Sequence, residues 1–172
     1  MTGSIRSAQY WREKLQLSNH IEGGSFRQVY KSDLELPQSV LSDAHKGTRS
    51  AATSIYFLLE FGEFSAFHRI ASDELWHFYD GDGLVIYEIK PNGSLVKHLL
   101  GKDMEQGESL QVLIPAGSWF ASRVEIERGF TLCGCTVSPG FDFADFELAN
   151  RDQLISAYPE HSALISSLTR NI

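Results

Sequence analysis

The sequence predicts an all-β fold, a jelly-roll barrel or sandwich, on three observations. Eight short runs rich in β-branched and aromatic residues follow one another from Ala51 to Val137: AATSIYFLLE, SAFHRI, ELWHFYD, GLVIYEI, SLVKHLL, SLQVLIP, SWFASRV and FTLCGCTV. Turn signals such as GDG, PNG and PAG divide them at near-regular intervals. No helical stretch of crossover length lies between them, which removes parallel α/β alternatives. A chain of 172 residues suits one domain, and 42% hydrophobic with 22% charged residues leaves enough apolar material to fill it.

Each flanking element follows from local chemistry. Residues 7–17 place Tyr10, Trp11, Lys14 and Leu15 at helical spacing behind Ser7, a suitable N-cap. Gly23 and Gly24 then break the chain before a strand over 25–30, with Phe26, Gln28 and Tyr30 on one face. That strand joins the sheet of its own subunit or of a partner. The polar stretch LELPQSVLSDAHKGTRS reads as a long loop of the kind used for lids or partner contacts. The barrel occupies about 50–136. After it, SPGFDFADFELA is expected to wrap the barrel: Pro139 and Gly140 turn the chain, Phe141, Phe143 and Phe146 pack it down, and Asp142 and Asp145 are solvated or capping. Asn150 caps a helix with Leu154 and Ile155 on one side, and Pro159 opens another with Leu164, Ile165 and Leu168. The helical appendages, over 7–17 and 150–170, pack outside the barrel of a single domain spanning 1–172.

Charge and composition narrow the function. Fifteen Lys plus Arg against 22 Asp plus Glu give a net charge of −7 without a basic run, so nucleic acid is excluded as a partner. No apolar stretch reaches a membrane span, and MTGSIRSAQYWREK lacks a leader's apolar run, so the expected compartment is the cytoplasm. Cys133 and Cys135 stand two apart on one strand, sharing a face as small buried side chains without metal-ligand company.

The segment FGEFSAFHRIASDELWHFYDGDG sets Gly62, His68, Glu74 and Gly81 in one β-rich stretch. Its spacing resembles the first conserved motif of the cupins. Four segments together, HIEGGSFRQVYKS, FHRIASDELWHFYDGD, IPAGSWFAS and CTVSPGFDFADFELANRDQLISAYP, resemble small single-domain cupins of uncharacterised function, relatives of the sugar-nucleotide epimerases of rhamnose synthesis. The resemblance implies a cupin double-stranded β-helix, a pocket in the barrel, a small-molecule ligand and a homodimer. Two positions depart from the usual pattern near the expected pocket edge: Ile21 replaces a proline and Ser25 an aromatic residue.

A metal-binding cupin carries two histidines and a glutamate in its first motif and a histidine in its second. Here His68 and Glu74 match, whereas Ile70 and Phe120 occupy the other two positions. Two protein ligands hold a divalent ion poorly, so no cofactor is expected; a bound metal would draw on His68, Glu74 and His77, with His20 or Glu22 as substitutes. Alternation along the strand sets His77 opposite to Glu74, Trp76 and Phe78. Without metal, His68 serves as acid or base near neutral pH, with Glu74 raising its pKa or fixing its tautomer. Tyr56 or Tyr79 delivers a proton on the other face, giving an epimerase or isomerase acting on a carbohydrate or nucleotide-sugar. Trp76, His77, Phe78, Trp119 and Phe120 line the ligand, and Arg27 or Arg69 meets an anionic group. The same pocket also suits a module that binds or senses a ligand without turnover.

Overall fold

The computed structural model describes residues 6–170; part of the segment read for a leader, residues 1–5, lies outside them. The elements run in the order α1 (Ala8–Leu15), β1 (Ser18–Asn19), β2 (Ser25–Lys31), β3 (Glu35–Leu36), β4 (Arg49–Ser50), β5 (Thr53–Glu60), β6 (Phe64–Arg69), β7 (Asp73–Gly81), β8 (Leu84–Ile89), β9 (Leu95–Leu100), β10 (Gln111–Ile114), β11 (Trp119–Val124), β12 (Phe130–Ser138), β13 (Glu147–Leu148), α2 (Arg151–Ala157) and α3 (Ser162–Ser167). The caps are those the residue types call for. Ser7 accepts from the Tyr10 amide at 3.2 Å, and Asn150 accepts from that of Gln153 at 3.1 Å.

Two sheets enclose the barrel. The first has the order β1-β2-β5-β12-β7-β10 and the second β13-β6-β11-β8-β9, with every pair antiparallel. The strand over 25–31 joins β5 of its own chain, which answers the question of whose sheet it extends. Phe57, Leu59, Trp76, Leu84, Ile86, Val112, Phe120 and Cys133 pack between the sheets. Both cysteines are buried and unbonded, facing this interior. A second apolar layer, with Phe67, Ile89, Trp119, Leu154, Ile165 and Leu168, joins the outer side of the five-stranded sheet to α2 and α3. Helix α1 covers Leu58 and Leu132 on the outer side of the other sheet with Trp11 and Leu15.

Register decides which side chains reach the interior, because partners across a ladder share a face. Gln28, Ile55, Cys135, Trp76 and Val112 form one inward row; Lys31, Thr53, Val137, Glu74 and Ile114 form another. Arg27, Tyr56, Gly134, His77 and Gln111 form an outward row beside the first of these, on the side away from Glu74. Bulges alter this rhythm at defined points. The shift between Gln28 and Tyr30 leaves Val29 over, so Tyr30 meets Ser54 on the outer face and Lys31 turns inward opposite Thr53. Another shift, between β6 and β11, pairs Ser65 with the inward Ser122.

Gly23 stands where the chain must pass close to β6. Its φ is +120°, and a Cβ there would lie 2.0 Å from the backbone oxygen of Phe64. Gly23→Ala is therefore expected to lower stability by about 2–4 kcal/mol, measured as a shift in the urea midpoint. A change below about 0.5 kcal/mol, the ordinary range for surface substitutions, would contradict this account of the turn.

Candidate functional site

A cavity of about 250 Å³ opens at one end of the barrel, lined by residues of β2, β5, β6, β7, β12 and the segments before β2 and after β12. His20, Glu22, His68 and Glu74 supply its ionisable interior, with Cys135 beside them. Lys31, Gln28 and Asp142 are polar groups of the same wall; Phe26, Ile55, Ile70, Val137, Phe141 and Phe143 are its apolar part. His68 comes from the five-stranded sheet and Glu74 from the six-stranded one, so the two face the cavity from opposite walls.

The turn before β2 inserts Glu22 between these walls. The His20 amide donates to the Gly24 carbonyl at 3.0 Å and the Gly23 amide to that of His20 at 3.2 Å; the Ala66 amide donates to the Glu22 carbonyl at 2.9 Å. The Glu22 carboxyl then lies against β6, where Ser65, turned inward by the bulge, donates its hydroxyl to Oε1 at 3.0 Å. Oε2 sits 3.2 Å from Nε2 of His68 and 3.6 Å from Nδ1 of His20. Burial raises the Glu22 pKa, opposed by His20, the Ser65 hydroxyl and Arg170.

The tautomer of His68 follows from its other nitrogen. Nδ1 lies 2.7 Å from the Ala66 carbonyl, which only accepts, so Nδ1 carries the proton and Nε2 presents a lone pair. A protonated Glu22 donates to that lone pair, and the pair thus holds one proton between oxygen and nitrogen. Burial lowers the His68 pKa to about 4, against a smaller rise from the Ala66 hydrogen bond. The expectation that Glu74 sets the tautomer and raises this pKa is corrected on both counts: Ala66 and Glu22 are the partners, and desolvation wins. Burial instead pushes Glu74 itself up to about 8, reinforced by the charge of Glu22 and partly offset by the Cys135 thiol. At neutral pH the imidazole is therefore uncharged and Glu74 is an acid.

Register removes several predicted residues from the cavity. Tyr56 lies on the outer face, edge-on to Tyr79 at 5.9 Å, so neither tyrosine reaches a ligand in the barrel. Arg27 shares that face and donates to the Leu15 carbonyl. His77 bonds Thr136 and Gln111 outside; the shift in the β7–β12 ladder falls beyond it, at Tyr79, and does not turn it inward. Arg69 and Trp119 also point away from the barrel, the guanidinium 4.6 Å above the indole and paired with Glu147. Trp76 and Phe78 face inward but serve as packing farther along β7, while Phe120 packs on His68 with ring centroids 4.1 Å apart. Asp145 is not solvated: its side chain is 5% exposed and paired with Arg49. Asp142 caps the turn at Phe143–Asp145, accepting from the Ala144 amide, and also lines the cavity. Lys31, Thr53, Ile55, Cys135, Val137, Phe141 and Phe143 are lining residues that the sequence does not announce; Cys135 and Val137 reach the cavity because the register sets them beside Trp76 and Glu74, and nothing local marks the bulge that turns Lys31.

The chain matches, over residues 9–149, the family described as Cupin superfamily (DUF985). It is a cupin of this family. The uncharacterized protein YML079W of Saccharomyces cerevisiae is 31% identical over 150 residues, spanning 81% of this cupin and 74% of that protein. Two solved structures share its fold closely. Protein SO0799 of Shewanella oneidensis has a TM-score of 0.88 at 41% identity, covering 98% of this chain and 100% of that one. A hypothetical protein from Leishmania major has a TM-score of 0.88 at 34% identity, covering 96% and 100%. No helix among the described residues is long and apolar enough to cross a membrane.

The cupin fold raises the question of a metal, and the donor set answers against a fit. Ile70 lines the cavity and Phe120 packs on His68 where a metal-binding cupin has histidines. Glu22 engages the one His68 nitrogen that would coordinate. Among the described residues no group of three His, Cys, Asp or Glu side chains is arranged to hold an ion.

The shifted groups tie stability to pH. His68 is depressed from 6.5 to about 4, so the unfolded chain binds more protons between these values and stability falls as pH drops through them. Glu74 is raised from 4.5 to about 8, so the folded chain binds more protons there and stability falls as pH rises. Between 4.5 and 6.5 the two slopes oppose each other. From 6.5 to 8 the His68 slope is absent and the Glu74 loss remains, and Glu74→Gln is expected to remove that contribution, retaining on the order of 1–3 kcal/mol that the wild type loses by pH 8.5. Thermal melts across pH 5–9 check this; parallel profiles for the two proteins would contradict it.

Proposed function

We propose that this cupin binds a compact carbonyl compound at the barrel mouth and moves protons on it, as an isomerase or epimerase does. The supporting observation is the placement of three buried ionisable side chains, Glu22, His68 and Glu74, with the partly buried His20 beside them, on facing walls of one small cavity. Ionisable groups are costly to bury, and a pair with opposed protonation preferences is the arrangement that acid–base chemistry requires.

In this reading the Glu22–His68 pair is the base. As the Glu22 carboxyl takes the proton from the carbon beside the carbonyl, its own proton passes to Nε2 of the resting, uncharged His68, which carries charge only while the enol stands. Glu74, uncharged and opposite, gives its proton to the carbonyl oxygen as the enol forms. Return of a proton to either carbon completes isomerisation and resets both walls. The tyrosine expected to deliver the second proton gives way to Glu74, because Tyr56 and Tyr79 are outside. A volume of about 250 Å³ equals that of about eight waters. It admits a monosaccharide or short-chain molecule, and the nucleotide part of a nucleotide-sugar would remain outside. Phe26, Phe141 and Phe143 give such a ligand an apolar wall.

The test is deuterium incorporation from D2O into a panel of aldoses, ketoses and short 2-hydroxy ketones, followed by NMR. Wild type is expected to accelerate exchange beside the carbonyl of at least one class. Glu22→Gln and His68→Gln should each reduce that rate by about 10²–10⁴-fold, and Glu74→Gln should lower it comparably. Saturable binding of a panel member without any exchange would overturn the catalytic reading and leave a ligand-binding module.

A further inference from the structure

The strap that follows β12 forms part of the cavity wall, and its attachment is built from charge. Residues 141–148 leave the six-stranded sheet, cross the barrel mouth, and join the five-stranded sheet, where Glu147 pairs with Arg69 and Leu148 with His68 in the β13–β6 register. At its start the Gly140 amide donates to the Ser50 carbonyl at 2.7 Å and the Phe141 amide to the Thr53 hydroxyl at 2.9 Å. In the middle, Arg49 donates through Nε to Asp145 Oδ2 at 2.6 Å and through Nη2 to Oδ1 at 2.5 Å, and the Lys46 amide adds a bond to Oδ1 at 2.9 Å. Both charged side chains are 5% exposed. The Arg69–Glu147 pair, by contrast, is exposed and screened, so it contributes little.

The loop bearing Arg49 is itself fixed from within. His45 is buried, with Nδ1 2.9 Å from the Ser42 hydroxyl and Nε2 2.9 Å from that of Ser72. The stretch expected to act as a lid or partner contact is thus the anchor of a different segment. What the anchored segment holds is Phe146. Its ring lies 5.4 Å from the His68 imidazole, tilted by 30°, while Phe120 packs on the same imidazole at 4.1 Å. Phe141 and Phe143, both in the cavity lining, stand 6.1 Å from Phe146. Beyond the strap lies another hollow, lined by Lys46, Arg69, Phe146 and Glu147, and Ile70 borders it and the cavity alike.

We infer that Arg49 and Asp145 are positioning residues of the site: their buried ion pair latches the strap so that Phe146 seals His68 from the outer hollow and the neighbouring phenylalanines complete the cavity wall. The inference rests on the reading of His68 as a working group. Neither residue of the pair touches the cavity, and each acts through Phe146. The other titratable groups about His68 are His20, Glu22 and, across the cavity, Glu74 and Cys135, with Asp142 and Lys31 in the lining and Arg170 behind Glu22. None of them needs to move when the latch is released. Water reaching Nε2 would relieve the desolvation that holds the imidazole neutral.

Carbethoxylation of His68 by diethyl pyrocarbonate, quantified by mass spectrometry of the His68 peptide, tests the latch without reference to turnover. A neutral, accessible imidazole nitrogen attacks the reagent's carbonyl carbon and expels ethyl carbonate, so the pH profile of the rate reports both access and titration. In Asp145→Asn and Phe146→Ala, modification at pH 7 is expected to be at least about tenfold faster than in wild type. The rate midpoint should move from about 4 toward 6.5. Asp145→Glu should restore part of the protection, which general damage would not allow. A folded Asp145→Asn protein with the wild-type rate and profile would overturn the inference. If that variant fails to fold, Phe146→Ala, which leaves the ion pair intact, decides the matter by the same criterion. These readouts are independent of proton exchange on a substrate, so loss of the catalytic proposal and loss of the latch are separately visible.

Discussion

The contact between the Glu22 carboxyl and His68 is the interaction on which the site depends. A carboxyl group held in a barrel mouth, with Arg170 hydrogen-bonded to its backbone carbonyl rather than to the carboxyl itself, carries a desolvation penalty of several kcal/mol when ionised. The molecule meets that penalty by giving Glu22 three polar neighbours and a raised pKa. Ser65 donates to one oxygen, and His68 accepts at the other, its remaining nitrogen committed to the Ala66 carbonyl. Because each group has one role left to it, the tautomer, the protonation state and the orientation are fixed together. Gly23, a bulge in β6 and the turn from His20 to Gly24 are the backbone features that make the approach possible.

Around this contact the barrel supplies a dry setting. Trp76, Phe57 and Phe120 are almost fully buried, and burial of such side chains contributes about 1.5–3 kcal/mol each as an upper estimate. The same packing that stabilises the sheets lowers the local dielectric response and pushes His68 and Glu74 in opposite directions. Stability and chemistry are thus coupled: the wall that excludes water keeps His68 uncharged, and the wall opposite keeps Glu74 protonated. The strap crosses this enclosure from one sheet to the other, and the Arg49–Asp145 ion pair holds it at its middle.

Most of the barrel is legible in the sequence because strands announce themselves by period and composition. The runs from Ala51 to Val137 correspond to β5 through β12, and Ser7 and Asn150 cap the helices their positions imply. The site is less legible. Alternation from Glu74 correctly turns His77 outward, yet alternation needs an anchor on each strand, and none marks Ile55 rather than Tyr56 as the inward residue of β5. Arg69 and Trp119 fall outside for the same reason: each adjoins an inward residue, His68 and Phe120. Bulges are harder still, since the extra residue at Val29 has no chemical signature and decides whether Tyr30 or Lys31 faces the cavity. The role of Glu22 was visible only as a nearby carboxylate, because its contact with His68 joins residues far apart in sequence. Asp145 reads from the sequence as solvated or capping because its partner, Arg49, comes from the distant long loop.

Direct titration of the three groups tests the central claim. With nitrogen-15 histidine and carboxyl carbon-13 labels, NMR is expected to show His68 as the neutral Nδ1–H tautomer at pH 7, titrating near pH 4, with Glu74 titrating near pH 8. Glu22 should titrate above the ordinary carboxylate range, its signal coupled to that of His68. A His68 that titrates near 6.5, with Glu74 near 4.5, would contradict the account, because the barrel mouth would then be a wet surface site.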